Sequence, residues 1–243
     1  MKTKRWLRQF AARHGVFIAR YQPDYVYASC TNQVLSIEDE LFYQIACPVI
    51  KEGRTLLGYD RLYVLWQAVK NTSSLQQITA ELGSYRGGSA YFLATALKVL
   101  NNSERPVHIF DTFKGHPDTD VYRKEMSHKP GLFSDTDYES VKQYLSDFQH
   151  LHIHQGDIYD TLKDLPEMNY GLVHLDVDVF ETTLDCLRYF GQRLVSKGMM
   201  VLDDYRSPNC PGIAHAIDIF LAEQAGHFES WFFRTEQLIL VKA

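Results

Sequence analysis

Apolar positions along the chain follow two periods in turn. QQITAEL ending at Leu82, PVHIFD ending at Asp111, LHIH at 151–154, GLVHLDVDVF from Gly171 and MMVLDDY ending at Tyr205 have the length and composition of buried strands. Between them, AYFLATALKVL, the stretch from Tyr138 to Phe148, ETTLDCLRYFGQRLVSKG and the stretch from about Ile213 to Ala225 repeat their apolar residues at helical spacing. Strands alternating with helices predict an α/β domain with a parallel sheet. HFESWFFR and QLILVKA, joined through Thr235 and Glu236, then predict a C-terminal antiparallel hairpin. Two helices precede the first strand. One starts at an N-cap Ser36 followed by acids and is expected to stop at Pro48; the other runs from about Tyr59 to Lys70 with Leu62, Leu65, Trp66 and Val69 on one face. The expected division is an N-terminal helical and lid segment, 1–70, and an α/β domain, 71–243.

Composition narrows the partners. A chain of 243 residues, 45% hydrophobic, can bury one large core. Its formal net charge of -5 gives no electrostatic footprint for nucleic acid, so a small-molecule or carbohydrate partner fits better. Cys30, Cys47, Cys186 and Cys210 are widely spaced and form no C-x-x-C pair, which signals neither a zinc site nor a disulfide framework. Cys186 falls in the core of an amphipathic helix. A reducing, cytoplasmic setting is expected, with no secretory signal and no run long enough to span a bilayer. Met1 to Arg20 is basic with interspersed Trp6, Phe10 and Phe17. A short helix packed on its own domain or on a sister subunit is the simpler expectation, and docking on an anionic membrane is the alternative.

The chemistry gathers where strands end. Asp176 and Asp178 close one strand and Asp203 and Asp204 close the next. Neighbouring parallel strands deliver their carboxyl ends to one edge, where such folds bind ligands, so four carboxylates are expected at one rim. Crowded acids repel unless a cation or proton holds them, which suggests a divalent metal site. His174, one alternation before Asp176, is expected to be buried and hydrogen-bonded. The first strand runs into Gly83 and SYRGGS before a helix, a turn whose backbone N–H groups can approach a ligand. Tyr85 stands where a dinucleotide fingerprint needs its middle glycine, and Glu81 would repel a diphosphate. That acid suits a ligand with an amino group and a sulfonium. Asp111 ends the second strand, placed to accept from ribose hydroxyls. The excursion from His116 to Thr136 is expected to shape the acceptor pocket, with His116 and His128 as minor candidates for chemistry. KEGRTLLG, with Arg54 and Thr55, is a candidate lid or an ordinary connection.

ELGSYRGGS from Glu81 to Ser89, FDTFKG from Phe110 to Gly115, HLDVDVFETTLD from His174 to Asp185, and VLDDY from Val201 to Tyr205 with the later CPG together resemble the macrocin O-methyltransferase family. The resemblance runs from Gln77 to about Phe220. It implies a Rossmann-like class I methyltransferase fold: a mostly parallel seven-stranded sheet with a C-terminal antiparallel hairpin, preceded by the helical segment. It also implies S-adenosyl-L-methionine as methyl donor, Mg2+, a sugar or related natural-product hydroxyl as acceptor, and homo-oligomeric assembly. Matched by motif, Asp176, Asp203 and Asp204 correspond to metal ligands and Asp178 to the general base, with Asp176 beside it in the catalytic set. The cofactor-binding candidates are Glu81, Gly83, Arg86, Gly87, Gly88, Ser89, Asp111, Thr112, Phe113 and Asp157. FKGHP departs from the family's commoner F-x-G-L-P, leaving the acceptor open. The alternatives are a methyltransferase of a glycan or lipid-linked sugar at a membrane, a nicotinamide-dependent oxidoreductase, and a cofactor-binding regulator without turnover. Binding of S-adenosylhomocysteine against NAD discriminates among them.

Overall fold

The computed structural model describes residues 39–100, 104–116, 118 and 129–243. The basic segment 1–20, the expected N-cap Ser36 and His128 lie outside the described residues. Helix α1 spans Glu40–Lys51 and is capped by Asp39, whose side chain accepts from the Phe42 N–H at 3.0 Å and from the Trp66 indole at 2.6 Å. Pro48 does not end it. The proline is exposed, and the carbonyl it leaves unpaired belongs to exposed Gln44, which water can satisfy, so the last turn continues and buries Val49. Helix α2 spans Tyr59–Asn71 and buries Leu62, Leu65, Trp66 and Val69, as its spacing predicts.

From there the alternation holds. The chain forms β1 (Ile78–Leu82), α3 (Gly88–Val99), β2 (Val107–Asp111), α4 (Tyr138–Tyr144), β3 (Leu151–Gln155), a short α5 (Ile158–Thr161), β4 (Tyr170–Leu175), α6 (Phe180–Arg193), β5 (Leu194–Leu202), α7 (Pro211–Glu223) and the hairpin β6 (Phe228–Phe232) and β7 (Leu238–Lys242). Two boundaries differ from the sequence reading. Helix α4 closes at Tyr144, short of Phe148, and α6 stops at Arg193 although the helical spacing runs on through Lys197. Leu194 leaves the helix because it pairs with Tyr170 and is buried in the sheet, and a left-handed Lys197 beside Gly198 then turns the chain into the rest of β5.

One seven-stranded sheet has the order β3-β2-β1-β4-β5-β7-β6. The first five strands are parallel, while β7 runs antiparallel to both β5 and β6. Alternate residues face opposite layers. Val107, Ile109, Leu172, Val201 and Ile239 meet α1, α2 and α3, sharing a cluster with Phe42, Trp66 and Phe92. Ala80, Leu82, Val173, Leu175, Met200 and Leu202 meet α6 and α7 through Leu187, Phe190, Ile217 and Phe220. The helices before β1 are thus continuous in packing with the sheet.

Phe42 is fully buried and lies edge-on to Tyr59, Tyr63 and Phe92. Phe42→Ala is expected to destabilise the protein by about 3–5 kcal/mol, read as a lower midpoint in denaturant unfolding monitored by circular dichroism.

Candidate active site

Strand β1 lies between β2 and β4, so connections leave it to opposite sides, and a crevice opens beyond the carboxyl ends at that switch point. A cavity there is lined by residues from the ends of β1, β2, β3, β4 and β5. It has two halves, one of backbone and hydroxyl groups and one of carboxylates.

The first half surrounds the glycine-rich turn. Gly83 has φ +85°, and a Cβ there would stand 1.9 Å from the Asp176 carbonyl oxygen, so the exits of β1 and β4 approach as closely as they do only because this side chain is absent. Asp111 accepts from the N–H groups of Ser84, Tyr85 and Phe113 at 2.7–2.8 Å, which fixes both the turn and its own orientation at the cavity wall. Burial raises its pKa, opposed by those three hydrogen bonds. Ser84, Ser89, Thr112 and Asp157 also line the cavity, and Asp157 caps α5 by accepting from Tyr159 N–H at 2.9 Å. The Ser84 hydroxyl is buried without a hydrogen-bond partner, an unmet demand that a polar ligand would answer. Thr55, Leu56 and Leu57, from the segment read as a candidate lid, form part of the wall, and Gly88 N–H donates to the Arg54 carbonyl at 3.0 Å.

Several cofactor candidates serve the site from behind. Gly87 packs on Val141, and a Cβ on Gly88 would meet the Arg54 carbonyl at 2.6 Å; both keep the turn tight without lining the cavity. Arg86 points outward to Asp135 and the Gly53 carbonyl, and Phe113 is buried beneath the turn. Glu81, expected to face the ligand, is the main correction. Strand alternation places it on the opposite side from Leu82, where it is fully buried, off the cavity wall, and 3.1 Å from His174 Nδ1.

The second half begins with that histidine. Glu81 pairs with His174 across β1 and β4, and His174 Nε2 lies 3.3 Å from Asp203 Oδ2, giving a buried row across three strands. Burial works against a charged imidazole, but hydrogen bonds to Asp203 and Glu81 outweigh it and raise His174 to about 10. Asp176 lies beyond, and ligand atoms of His174, Asp176 and Asp203 fall within 4.8 Å of one another. A second group within the same limit is Asp178, Asp204 and Cys210. Asp178 reaches the rim because its backbone is left-handed, with φ +67°, and its Oδ2 stands 3.5 Å from His116 Nε2. The four expected acids therefore share one edge, with Asp204 grouped closer to Asp178 than the proposed metal set implied.

Their proximity is visible in their acidity. Asp176 is raised well above the carboxylate range by burial and then by Asp203, Asp178 and Asp204. Asp204 is raised to about 6 by burial, with Asp178 and Asp203 adding and Arg61 opposing. Arg61, from α2, is the residue the sequence reading missed. It donates from Nη2 to Asp204 Oδ1 at 2.9 Å and Glu236 Oε2 at 3.3 Å and from Nε to the Thr235 carbonyl at 3.0 Å, while Nη1 stands 3.9 Å from Asp203 Oδ2. Nothing in its local pattern marks it off from a solvated helix arginine.

The residues present fit a hard divalent cation. Asp203 Oδ1 is buried with no hydrogen-bond partner. Both ring nitrogens of His174 already face carboxylates, Nδ1 at 3.1 Å from Glu81 and Nε2 at 3.3 Å from Asp203, and burial pushes the Cys210 thiol far up, away from the thiolate that would bind a metal. Carboxylate oxygens are left as donors, the set that magnesium takes.

The family model described as macrocin-O-methyltransferase (TylF) matches residues 44–226. A tetracenomycin rhamnosyl 4'-O-methyltransferase from Streptomyces olivaceus is 26% identical over 174 residues, 67% of either chain. Demethyldecarbamoylnovobiocin O-methyltransferase from Streptomyces niveus is 26% identical over 182 residues, 70% of this chain and 69% of that one. The structure of the O-methyltransferase NovP superposes with a TM-score of 0.70 at 22% identity, covering 78% of this chain and 82% of that one, which shows the shared fold.

Gly83→Ala forces a side chain onto the Asp176 carbonyl at a positive φ. It is expected to cost at least about 2 kcal/mol and to weaken S-adenosylhomocysteine binding more than tenfold, measured by thermal melting and titration calorimetry.

Proposed function

The chain belongs to the macrocin O-methyltransferase family and is an S-adenosylmethionine-dependent O-methyltransferase, and from that premise we propose that it methylates a hydroxyl of a sugar or related small natural product with the help of Mg2+. The observation that carries this reading is the convergence of Asp176, Asp178, Asp203 and Asp204 beside the glycine-rich cavity. The Streptomyces olivaceus relative is named for a rhamnosyl-bearing tetracenomycin, which supports a sugar acceptor here. Membership in a methyltransferase family sets the nicotinamide alternative aside.

When bound, S-adenosylmethionine supplies an electrophilic sulfonium methyl and the divalent ion lowers the acceptor hydroxyl's pKa. Gly83, Ser84, Ser89 and Asp111 form the wall for the donor, with Asp111 pre-oriented by the turn's own N–H groups for ribose hydroxyls. Asp176, Asp203 and Asp204 would hold the ion. Asp178, on the acceptor side, takes the hydroxyl proton as the oxygen–methyl bond forms and the sulfur–methyl bond breaks. Leu56 and Leu57 give the cavity an apolar stretch of wall that limits water around the reacting centre.

Among the described residues Cys47, Cys186 and Cys210 form no disulfide and no helix is long and apolar enough to cross a membrane, in keeping with a cytoplasmic enzyme. Trp231 and Phe232, half exposed on edge strand β6, support homo-oligomer formation.

Incubation with labelled S-adenosylmethionine, Mg2+ and a panel of nucleotide-linked and natural-product deoxysugars, followed by mass spectrometry, tests the acceptor class; label confined to non-sugar phenols would overturn it. Asp204→Asn is expected to lower methyl transfer at least tenfold while S-adenosylhomocysteine affinity changes less than threefold. Equal loss of both would assign Asp204 to the cofactor or the fold. EDTA is expected to abolish turnover and Mg2+ to restore it, and an enzyme insensitive to chelation would remove the ion from the mechanism.

A further inference from the structure

Arg61 contacts both Asp203 and Asp204 from a different layer of the fold. It reaches from the first turn of α2 across to the end of β5, with its side chain only 22% exposed. Its anchors are of two kinds. Thr235 O and Glu236 Oε2, both in the β6–β7 turn, belong to neither carboxylate group that could hold a cation, whereas Asp204 Oδ1 at 2.9 Å and Asp203 Oδ2 at 3.9 Å belong to the carboxylates that fit magnesium. Tyr205 N–H donates to the Glu236 carbonyl at 2.8 Å, so the turn is held against the acids with or without the arginine.

We propose that Arg61 is a resident counter-cation that competes with the divalent ion for Asp204 and Asp203, releasing them on metal entry while it stays tethered to Thr235 and Glu236. The proposal rests on the magnesium reading above and deepens it. A guanidinium and a divalent ion cannot share one carboxylate pair at contact distance without strong mutual repulsion, and a carboxylate oxygen that already accepts from Arg61 offers less to a metal. In the absence of metal the same contact relieves the repulsion among Asp176, Asp178, Asp203 and Asp204. Arg61 therefore stabilises the metal-free fold and weakens metal affinity, so the ion remains exchangeable.

The test is Mn2+ binding to the full chain, followed by electron paramagnetic resonance of the free ion, with thermal melts with and without Mn2+. Arg61→Gln is expected to bind Mn2+ at least tenfold more tightly than the unaltered protein, to melt lower without metal, and to gain more on its addition. Arg61→Lys, which keeps the charge, is expected to stay within threefold. Arg206→Gln removes a neighbouring exposed charge and is also expected to stay within threefold, which separates direct competition from the general field. A folded Arg61→Gln with unchanged or weaker Mn2+ affinity overturns the proposal, as does an equal gain in Arg206→Gln. If Arg61→Gln is unfolded without metal, recovery of its circular dichroism on adding Mn2+ supports competition and failure to recover overturns it. Absence of Mn2+ binding in the unaltered protein and every variant would sink the magnesium reading itself, a result distinct from failure of Arg61 alone.

Discussion

Mutual repulsion among Asp176, Asp178, Asp203 and Asp204 governs this structure, because four acids at one sheet edge need positive charge nearby. The protein answers on two sides. His174 sits beneath them between Glu81 and Asp203, and Arg61 reaches over them from α2 to Asp204. Each makes a large structural element depend on the site. His174 ties β1, β4 and β5 together through one buried row, and Arg61 links the helical layer before β1 to the C-terminal hairpin. A buried charge that loses its partner is costly, so these ties act as a requirement for correct register as much as a source of stability.

The other half of the crevice is built differently. There the lining is chiefly backbone and hydroxyl groups with the two carboxylates Asp111 and Asp157, and the turn is held by Asp111 accepting from Ser84, Tyr85 and Phe113. Gly83 joins the two halves, since the contact of its backbone with the Asp176 carbonyl brings the donor turn against the acidic rim. A transferable methyl and an acceptor oxygen have to meet within van der Waals reach, and this close approach of two strand exits supplies the proximity that such a transfer requires.

His116 illustrates how a family scaffold carries an individual chain's chemistry. It stands in the FKGHP segment where the commoner spelling has leucine, lines the cavity, and lies 3.5 Å from Asp178 Oδ2. The acceptor side of this pocket is thereby more polar next to the proposed base than an aliphatic residue would make it. Phe133 lies edge-on to the same imidazole and, with Leu56, contributes apolar surface to the cavity lining.

Period and punctuation in the sequence determined the five parallel strands, the terminal hairpin, the glycine-rich turn and the meeting of the four acids, because a two-residue alternation fixes which face a side chain takes and parallel strands end at a common edge. The tertiary structure decided what stands opposite each of them. Glu81 has the spelling of a cofactor ligand, yet alternation across three paired strands turns it toward His174; Arg61 is 143 residues from Asp204, and no local pattern announces that contact. Pro48 and the end of α6 were decided the same way, by solvent at Gln44 and by the place Leu194 takes beside Tyr170. Local sequence sets the direction of a side chain, and only packing between distant segments sets the charge, carbonyl or water that it finds there.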